Sequence, residues 1–330
     1  MNAVTEPVLM PDRSKFVGGS DAAAILGVSP YKTPVELWLE KTGRAPAEVI
    51  DAVRQRIFDR GHKLEPFIRD MVIDKLRDEG MEVELIACNQ RYCDPEHSFM
   101  SCEIDFELRL TGEMEIGGKL FTFDGEHVNA DAKSVTGFAR KKWGEESTED
   151  VPIEYAAQFM HGLMVSPGNR RFCLVAALRS FDDVDIYWTL RDDETIAAMR
   201  QKEIAFWYDH VLGDTPPDTF TFDDVKLLFP SDNGLSIDAT ADIAIKVQEL
   251  ASVKAQIKEL EEAEEVLKHQ IADFINPFAI LKFDGKEIAS WKGQSAARLD
   301  VKALQADLPE IAAKYTKTTT TRVLRLKKGK

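Results

Sequence analysis

An alternation of apolar and charged residues over Ser101 to Leu110, taken up again from Val128 to Ser134, constrains this chain most. Period-two alternation predicts half-buried strands. Cys102, Ile104, Phe106, Leu108 and Leu110 then share one face of the first strand, and Glu103, Asp105, Glu107 and Arg109 share the other. In the second, Asn129, Asp131 and Lys133 stand together. Antiparallel neighbours of this kind present Asp105, Asp131 and Lys133 on one surface. Upstream, a helix with apolar Leu64, Ile68, Met71, Val72 and Leu76 places Glu65 inside its apolar stripe. A carboxylate there is costly unless it is paired or bound to metal. Converging carboxylates offer Mg²⁺ its preferred oxygen ligands, and a neighbouring lysine can position or deprotonate a water. The expected chemistry is metal-assisted hydrolysis of a phosphodiester. Taken singly, each residue reads better as part of a solvated sheet face or as a snorkelling glutamate than as a ligand. The order Glu, Asp, Asp-x-Lys carries the reading.

The chain has 330 residues, 44% of them hydrophobic, enough for one large core or a core with a satellite. A net charge of −15 argues against non-specific coating of nucleic acid, which needs clustered Lys and Arg. It leaves room for an enzyme that grips DNA in a local channel. Cys88, Cys93, Cys102 and Cys173 form no CxxC pair, so reduced cysteines in a cytoplasmic protein are the simpler expectation. No apolar run approaches the roughly 18 residues of a membrane span, and no signal peptide is expected.

Ser20 is a good N-cap for a helix over Ala22 to Leu26, ended by Gly27. Thr33-Pro34 opens a second helix, and a long one is expected from about Val53 to Glu79. Strands are predicted over Glu82–Arg91, His97–Leu110, Lys119–Phe123 and His127–Val135, with Gly117-Gly118 and Asp124-Gly125 as hairpin turns. After a helix from Pro152 to Val165, the unbroken apolar run Phe172–Leu178 suits a strand buried on both faces. Val184–Leu190 pairs beside it, and a helix over Asp192 to Val211 closes a mixed sheet flanked by helices. We expect one domain over residues 1–215, a proline-bearing linker over 216–236, and a C-terminal helical and small β extension over 237–330. Ile243, Leu250, Ile257 and Ile271 fill one heptad position of the extension, with Glu264 interrupting. Val253, Leu260, Leu267 and Phe274 fill the other, with Lys246 as the exception. Packing within the chain and contact with a partner or a further copy are both open. A hairpin around Asp284-Gly285, a helix near Val301–Tyr315 and a β-prone run Thr318–Leu326 follow, in a tail basic from Lys314 onward.

Five further features stand in a fixed order: Phe16-Val17-Gly18-Gly19-Ser20-Asp21-Ala22 with the following Ser29-Pro30-Tyr31, Gly61-His62-Lys63-Leu64-Glu65-Pro66, Asp105, Asp131-Ala132-Lys133, and Tyr155-Ala156-Ala157-Gln158. Together they resemble the YqaJ-type viral recombinase nucleases, relatives of lambda exonuclease in the PD-(D/E)xK superfamily. The resemblance implies a restriction-endonuclease-like α/β (α+β) core with a mixed central sheet. It implies an exonuclease that uses Mg²⁺, with Mn²⁺ as a substitute. The enzyme would digest the 5′-ended strand of linear duplex DNA and leave 3′ tails for a single-strand annealing protein, in the host cytoplasm. Glu65, Asp105, Asp131 and the Ala132 carbonyl would be metal ligands, and Lys133 would handle the water. Arg13, Ser20 and Gln158 match positions that bind a terminal 5′-phosphate, and a trimeric ring is the assembly found in lambda exonuclease. Glu103 stands where that enzyme has a phosphate-binding serine, which puts strict 5′-phosphate dependence in doubt. Arg140-Lys141-Lys142-Trp143, just beyond Lys133, suits either a track for the DNA backbone with an aromatic wedge or a solvated loop. Two further functions compete: a structure-specific or restriction-like endonuclease on the same core, and a non-catalytic module that binds DNA ends.

Overall fold

The structure is a computed structural model, and it describes residues 12–45, 52–135, 139–180, 183–318 and 320–327. The chain divides into two compact units, Met1–Leu228 and Phe229–Lys330.

The first unit is built on a five-stranded sheet in chain order: β1 (Glu82–Cys93), β2 (Ser101–Ile116), β3 (Lys119–Ser134), β4 (Phe172–Ser180) and β5 (Asp183–Leu190). β1, β2 and β3 form an antiparallel meander, β4 runs parallel to β3, and β5 is antiparallel to β4. A parallel neighbour needs a crossover, supplied by α4 (Ile153–Val165). The long α3 (Ala52–Asp78) covers one face, where Ile68, Val72 and Leu76 pack with Phe106, Leu108, Phe123, Leu174 and Trp188. On the other face Phe159 and Leu163 of α4 meet Cys173, Val175 and Ala177. Alternate residues of β4 thus enter different cores, as its unbroken apolar run predicts. The apolar face of β2 is divided. Phe106 to Leu110 lie with α3, while Cys102 and Ile104 pack with Met100 and with Val165 of α4.

Gly117-Gly118 is the predicted hairpin turn, with φ positive at both residues. Asp124-Gly125 is not a turn. β3 runs through it, the register with β2 slips at Leu110/Thr111, and the Gly125 N–H donates to Thr111 Oγ1. A bulge and a tight turn both use a glycine at positive φ, which explains the shared signature.

The α1 helix (Gly19–Ile25) packs on α4, and a Cβ on Gly19 would meet Gln158 Cγ at 3.2 Å and the Gln158 carbonyl oxygen at 3.3 Å. The second glycine of the Gly-Gly-Ser segment is therefore what lets the two backbones approach. Val17 ties the same segment to the start of β2, donating to the Phe99 carbonyl and accepting from Ser101 N–H. The α2 helix (Pro34–Lys41) opens with the Thr33 cap, and α5 (Asp193–Ala205) runs on into a π-helical segment, Phe206–Leu212. Part of the segment expected as linker is helical. α6 (Phe222–Leu228) lies against α2, and Thr33 donates its hydroxyl to Asp224.

The second unit holds α7 (Ala241–Ile275), the hairpin β6 (Ile280–Phe283) and β7 (Lys286–Ser290), α8 (Val301–Asp307) and α9 (Pro309–Tyr315). The helix expected over 301–315 is broken where Pro309 opens a new one. The β-prone run from Thr318 forms no strand among the described residues.

Candidate active site

β3 leaves β2 just where the acidic residues gather. Their ladder ends at the pair Phe106 and Ala130, while β3 continues beside β4 to Ser134. The next pair across the opening would be Asp105 and Asp131. In place of a ladder bond, the Ala132 N–H donates to Asp105 Oδ2 at 2.8 Å. A strand residue directs its N–H and C=O to the same side, so the Ala132 carbonyl also faces this opening. Lys133 Nζ lies 2.5 Å from Asp131 Oδ1 as an ion pair, though Oδ1 accepts no hydrogen bond of ordinary angular geometry. Gln158 Nε2 donates to Asp131 Oδ2 at 3.2 Å.

α4 forms the wall beside these strands. Tyr155, Gln158 and Phe159 are three and four residues apart and share one helix face. Lys133 Nζ lies 5.3 Å from the Tyr155 ring centroid and 5.6 Å from that of Phe159, within cation–π range. Burial pulls the Lys133 ammonium down, but Asp131 and Asp105 more than offset it, so its pKa stands above the ordinary lysine value. Burial raises Asp105 most, the Asp131 charge adds to it, and Glu65 contributes, so that its pKa is pushed up to about 8. Ionised together, Asp105, Asp131 and Glu65 would carry more negative charge than one lysine neutralises, the condition under which a hard cation is favoured.

Glu65 approaches from α3 and is engaged by His62, its Oε1 lying 3.0 Å from His62 Nδ1. Among the described residues, no three His, Cys, Asp or Glu side chains close into a cluster that could hold a metal. Asp105, Asp131 and the Ala132 carbonyl suit a divalent cation. Glu65 would have to turn from His62 to join them.

Of the expected phosphate-binding residues, Arg13 and Ser20 come together. Arg13 donates to Ser20 Oγ at 2.7 Å and to Asp21 Oδ1 at 3.2 Å. Gln158 touches Gly19 on one side and Asp131 on the other, so it bridges the helix start and the carboxylates. Glu103 is exposed and bound to Arg91 at 2.6 Å, so its charge is offset locally. Lys141 and Lys142 are exposed, Lys142 lying 3.9 Å from Glu154. The Arg140 side chain lies outside the described residues. Trp143 is partly buried, with ring centroids 5.6 Å from Tyr155 and 5.0 Å from Tyr187, and it anchors its loop to the core.

Sequence reasoning missed Lys41 and Asp21. Lys41 is buried and donates to Asp21 Oδ2 and to the Arg13 carbonyl, both at 2.7 Å. Burial raises Asp21, yet Lys41 and Arg13 bring its carboxyl below the usual range. This pair fixes the Arg13 backbone beside Ser20. A cation one turn after Leu37 and Trp38, in the apolar stripe of α2, was the available signal.

Residues 10–169 match the family model described as the YqaJ-like viral recombinase domain. The chain is similar to the uncharacterized protein YqaJ of Bacillus subtilis (strain 168), with 29% identity over 317 residues, covering 93% of this chain and 90% of that protein. Two solved structures of LHK-Exo are also similar. The complex with dAMP has a TM-score of 0.41 and 18% identity, covering 61% of this chain and 90% of that one. The alkaline exonuclease from Laribacter hongkongensis has a TM-score of 0.40 and 15% identity, with the same coverage. Over residues 10–169 the chain is similar to the YqaJ-like viral recombinase domain family.

Proposed function

We propose that this chain is a divalent-metal-dependent deoxyribonuclease that digests the 5′-ended strand of linear duplex DNA. The 3′ tails it leaves would serve recombination by strand annealing. The observation that carries this reading is the opening between β2 and β3, where Asp105, Asp131, the Ala132 backbone and Lys133 converge. Asp105, Asp131 and the Ala132 carbonyl would hold Mg²⁺ or Mn²⁺, with Glu65 completing the set. Such an ion, when bound, polarises the phosphodiester and lowers the pKa of water. Lys133, kept protonated by its neighbours, orients the attacking water and offsets the charge that develops on the phosphate. Gln158 holds Asp131, and Tyr155 and Phe159 confine the Lys133 ammonium. We assign this activity to residues 1–215 and assembly or partner contact to 237–330.

A linear duplex labelled at either 5′ end and incubated with Mg²⁺ should lose label progressively from both ends, and EDTA should stop the loss. A covalently closed circle should stay intact. Cutting of the circle would favour the endonuclease reading, and digestion unaffected by EDTA would overturn the metal assignment.

Arg13, Ser20 and Gln158 would receive a terminal 5′-phosphate. Their support is the Arg13–Ser20 contact, with Arg91 offsetting the Glu103 charge. A 5′-phosphorylated duplex should then be digested faster than a 5′-hydroxyl one. Arg13→Ala should reduce that preference about tenfold, the scale of one charged hydrogen bond. Equal rates on both ends in the unmodified enzyme would retire the phosphate pocket.

A further inference from the structure

Helix α7 carries an apolar seam that its own unit leaves uncovered. Of its residues only Ile275 is buried, while Ile257 is 49% exposed, Leu260 70% and Leu267 58%. Soluble proteins seldom leave so long an apolar stripe open. Two charges interrupt it. Lys246 and Glu264 occupy core positions of the heptad, and each is 61% exposed, held only by neighbours one turn away, Asp242 and Lys268.

We propose that α7 pairs with α7 of a second copy of this chain as an antiparallel two-stranded coiled coil, in the register that sets Lys246 of each copy against Glu264 of the other. Antiparallel packing places the first heptad core position of one helix opposite the second core position of its partner. In this register Ile243 meets Leu267, Leu250 meets Leu260, and Val253 meets Ile257, and two-fold symmetry repeats each layer in reverse. The apolar layers between Ile243 and Leu267 are filled and both polar exceptions find an opposite charge, while Ile271 and Phe274 extend past the start of the partner's α7. A shift of one heptad either way sets Lys246 against Ile257 or Ile271 and leaves a charge buried without a partner, which is strongly unfavourable. A parallel in-register pair would oppose Lys246 to its counterpart and Glu264 to its counterpart. Polar core residues fix register and orientation in coiled coils in this way, and charge complementarity selects the second copy as occupant.

The test is a charge exchange in the full chain, read as mass per particle across a concentration series. The unmodified chain should self-associate. Lys246→Glu and Glu264→Lys should each weaken association at least about tenfold, and the two together should restore it. Both side chains are exposed in the single chain, so far-UV helicity should not change. Single reversals without effect, a combination that fails to restore, or an unmodified chain monomeric at every concentration would overturn the proposal. Orientation has a second readout. Oxidising a mixture of Leu250→Cys and Leu260→Cys chains should join one variant to the other at these positions, as identified by peptide mass. Joining of each variant to itself there would show a parallel pair.

Discussion

Asp131→Ala should lower turnover on linear duplex DNA at least about 100-fold while the chain stays folded, because a charge ligand acts mainly on the transition state. Asp131 joins the lysine of the site to the α4 wall. It is 7% exposed, lies 2.5 Å from the Lys133 ammonium and accepts from Gln158. Removing it leaves Lys133 without its nearest anion, a change that normally destabilises a buried charge. Here Asp105 can take over. Part of what keeps the Asp105 proton in place is the Asp131 charge. Without that charge Asp105 ionises more readily and offsets Lys133. The expected result is an intact melting transition with activity lost. Asp131→Asn should be as inactive although its amide preserves shape, and Lys133→Gln should match it with duplex affinity little changed. Near-normal turnover in either Asp131 variant would sink the assignment, and equal losses of affinity and turnover in Lys133→Gln would make that lysine a phosphate anchor.

These residues were legible in the sequence because their information is local. Alternation over Ser101–Leu110 and Val128–Ser134 specifies which side chains share a face, and the unbroken Phe172–Leu178 run specifies a strand covered twice. Elements that depend on what lies opposite were less legible. The Thr318–Leu326 run has β propensity, but propensity in a strand is a fit to neighbours, and among the described residues it has no strand beside it. Asp124-Gly125 has turn chemistry, yet β2 continues opposite it and turns it into a bulge. The Lys41–Asp21 pair joins two helices twenty residues apart, and neither residue announces the other. The Asp105 contact with the Ala132 N–H exists only because β3 abandons β2 there, a property of the whole sheet. Trp143 read as an exposed aromatic beside basic residues, and its place against Tyr155 and Tyr187 needed the loop's path.

Asp105→Asn should move activity and stability in opposite directions. The Asp105 carboxyl is held by burial and by Asp131 at a pKa of about 8, against 3.8 for an ordinary aspartate. Between those values the native chain binds a proton that the unfolded chain releases, so linkage makes native stability fall as pH rises through that window. Asparagine keeps the oxygen that accepts from Ala132 N–H and removes the ionisation. In EDTA the variant should therefore be more stable than the unmodified chain at pH 8 by about 1–3 kcal/mol, a fraction of the linkage limit. Near pH 4 the two should converge. A bound divalent cation reverses the balance for the unmodified chain, since it favours the ionised carboxylate. Adding Mg²⁺ at pH 8 should raise the melting temperature of the unmodified chain and leave the variant nearly unmoved, while nuclease activity of the variant falls at least about 100-fold. Denaturant titrations at pH 4 and pH 8, with and without metal, separate these terms. An Asp105→Asn chain less stable than the parent at pH 8 in EDTA, or equally stabilised by Mg²⁺, would show that Asp105 is neither strained by its charge nor a ligand.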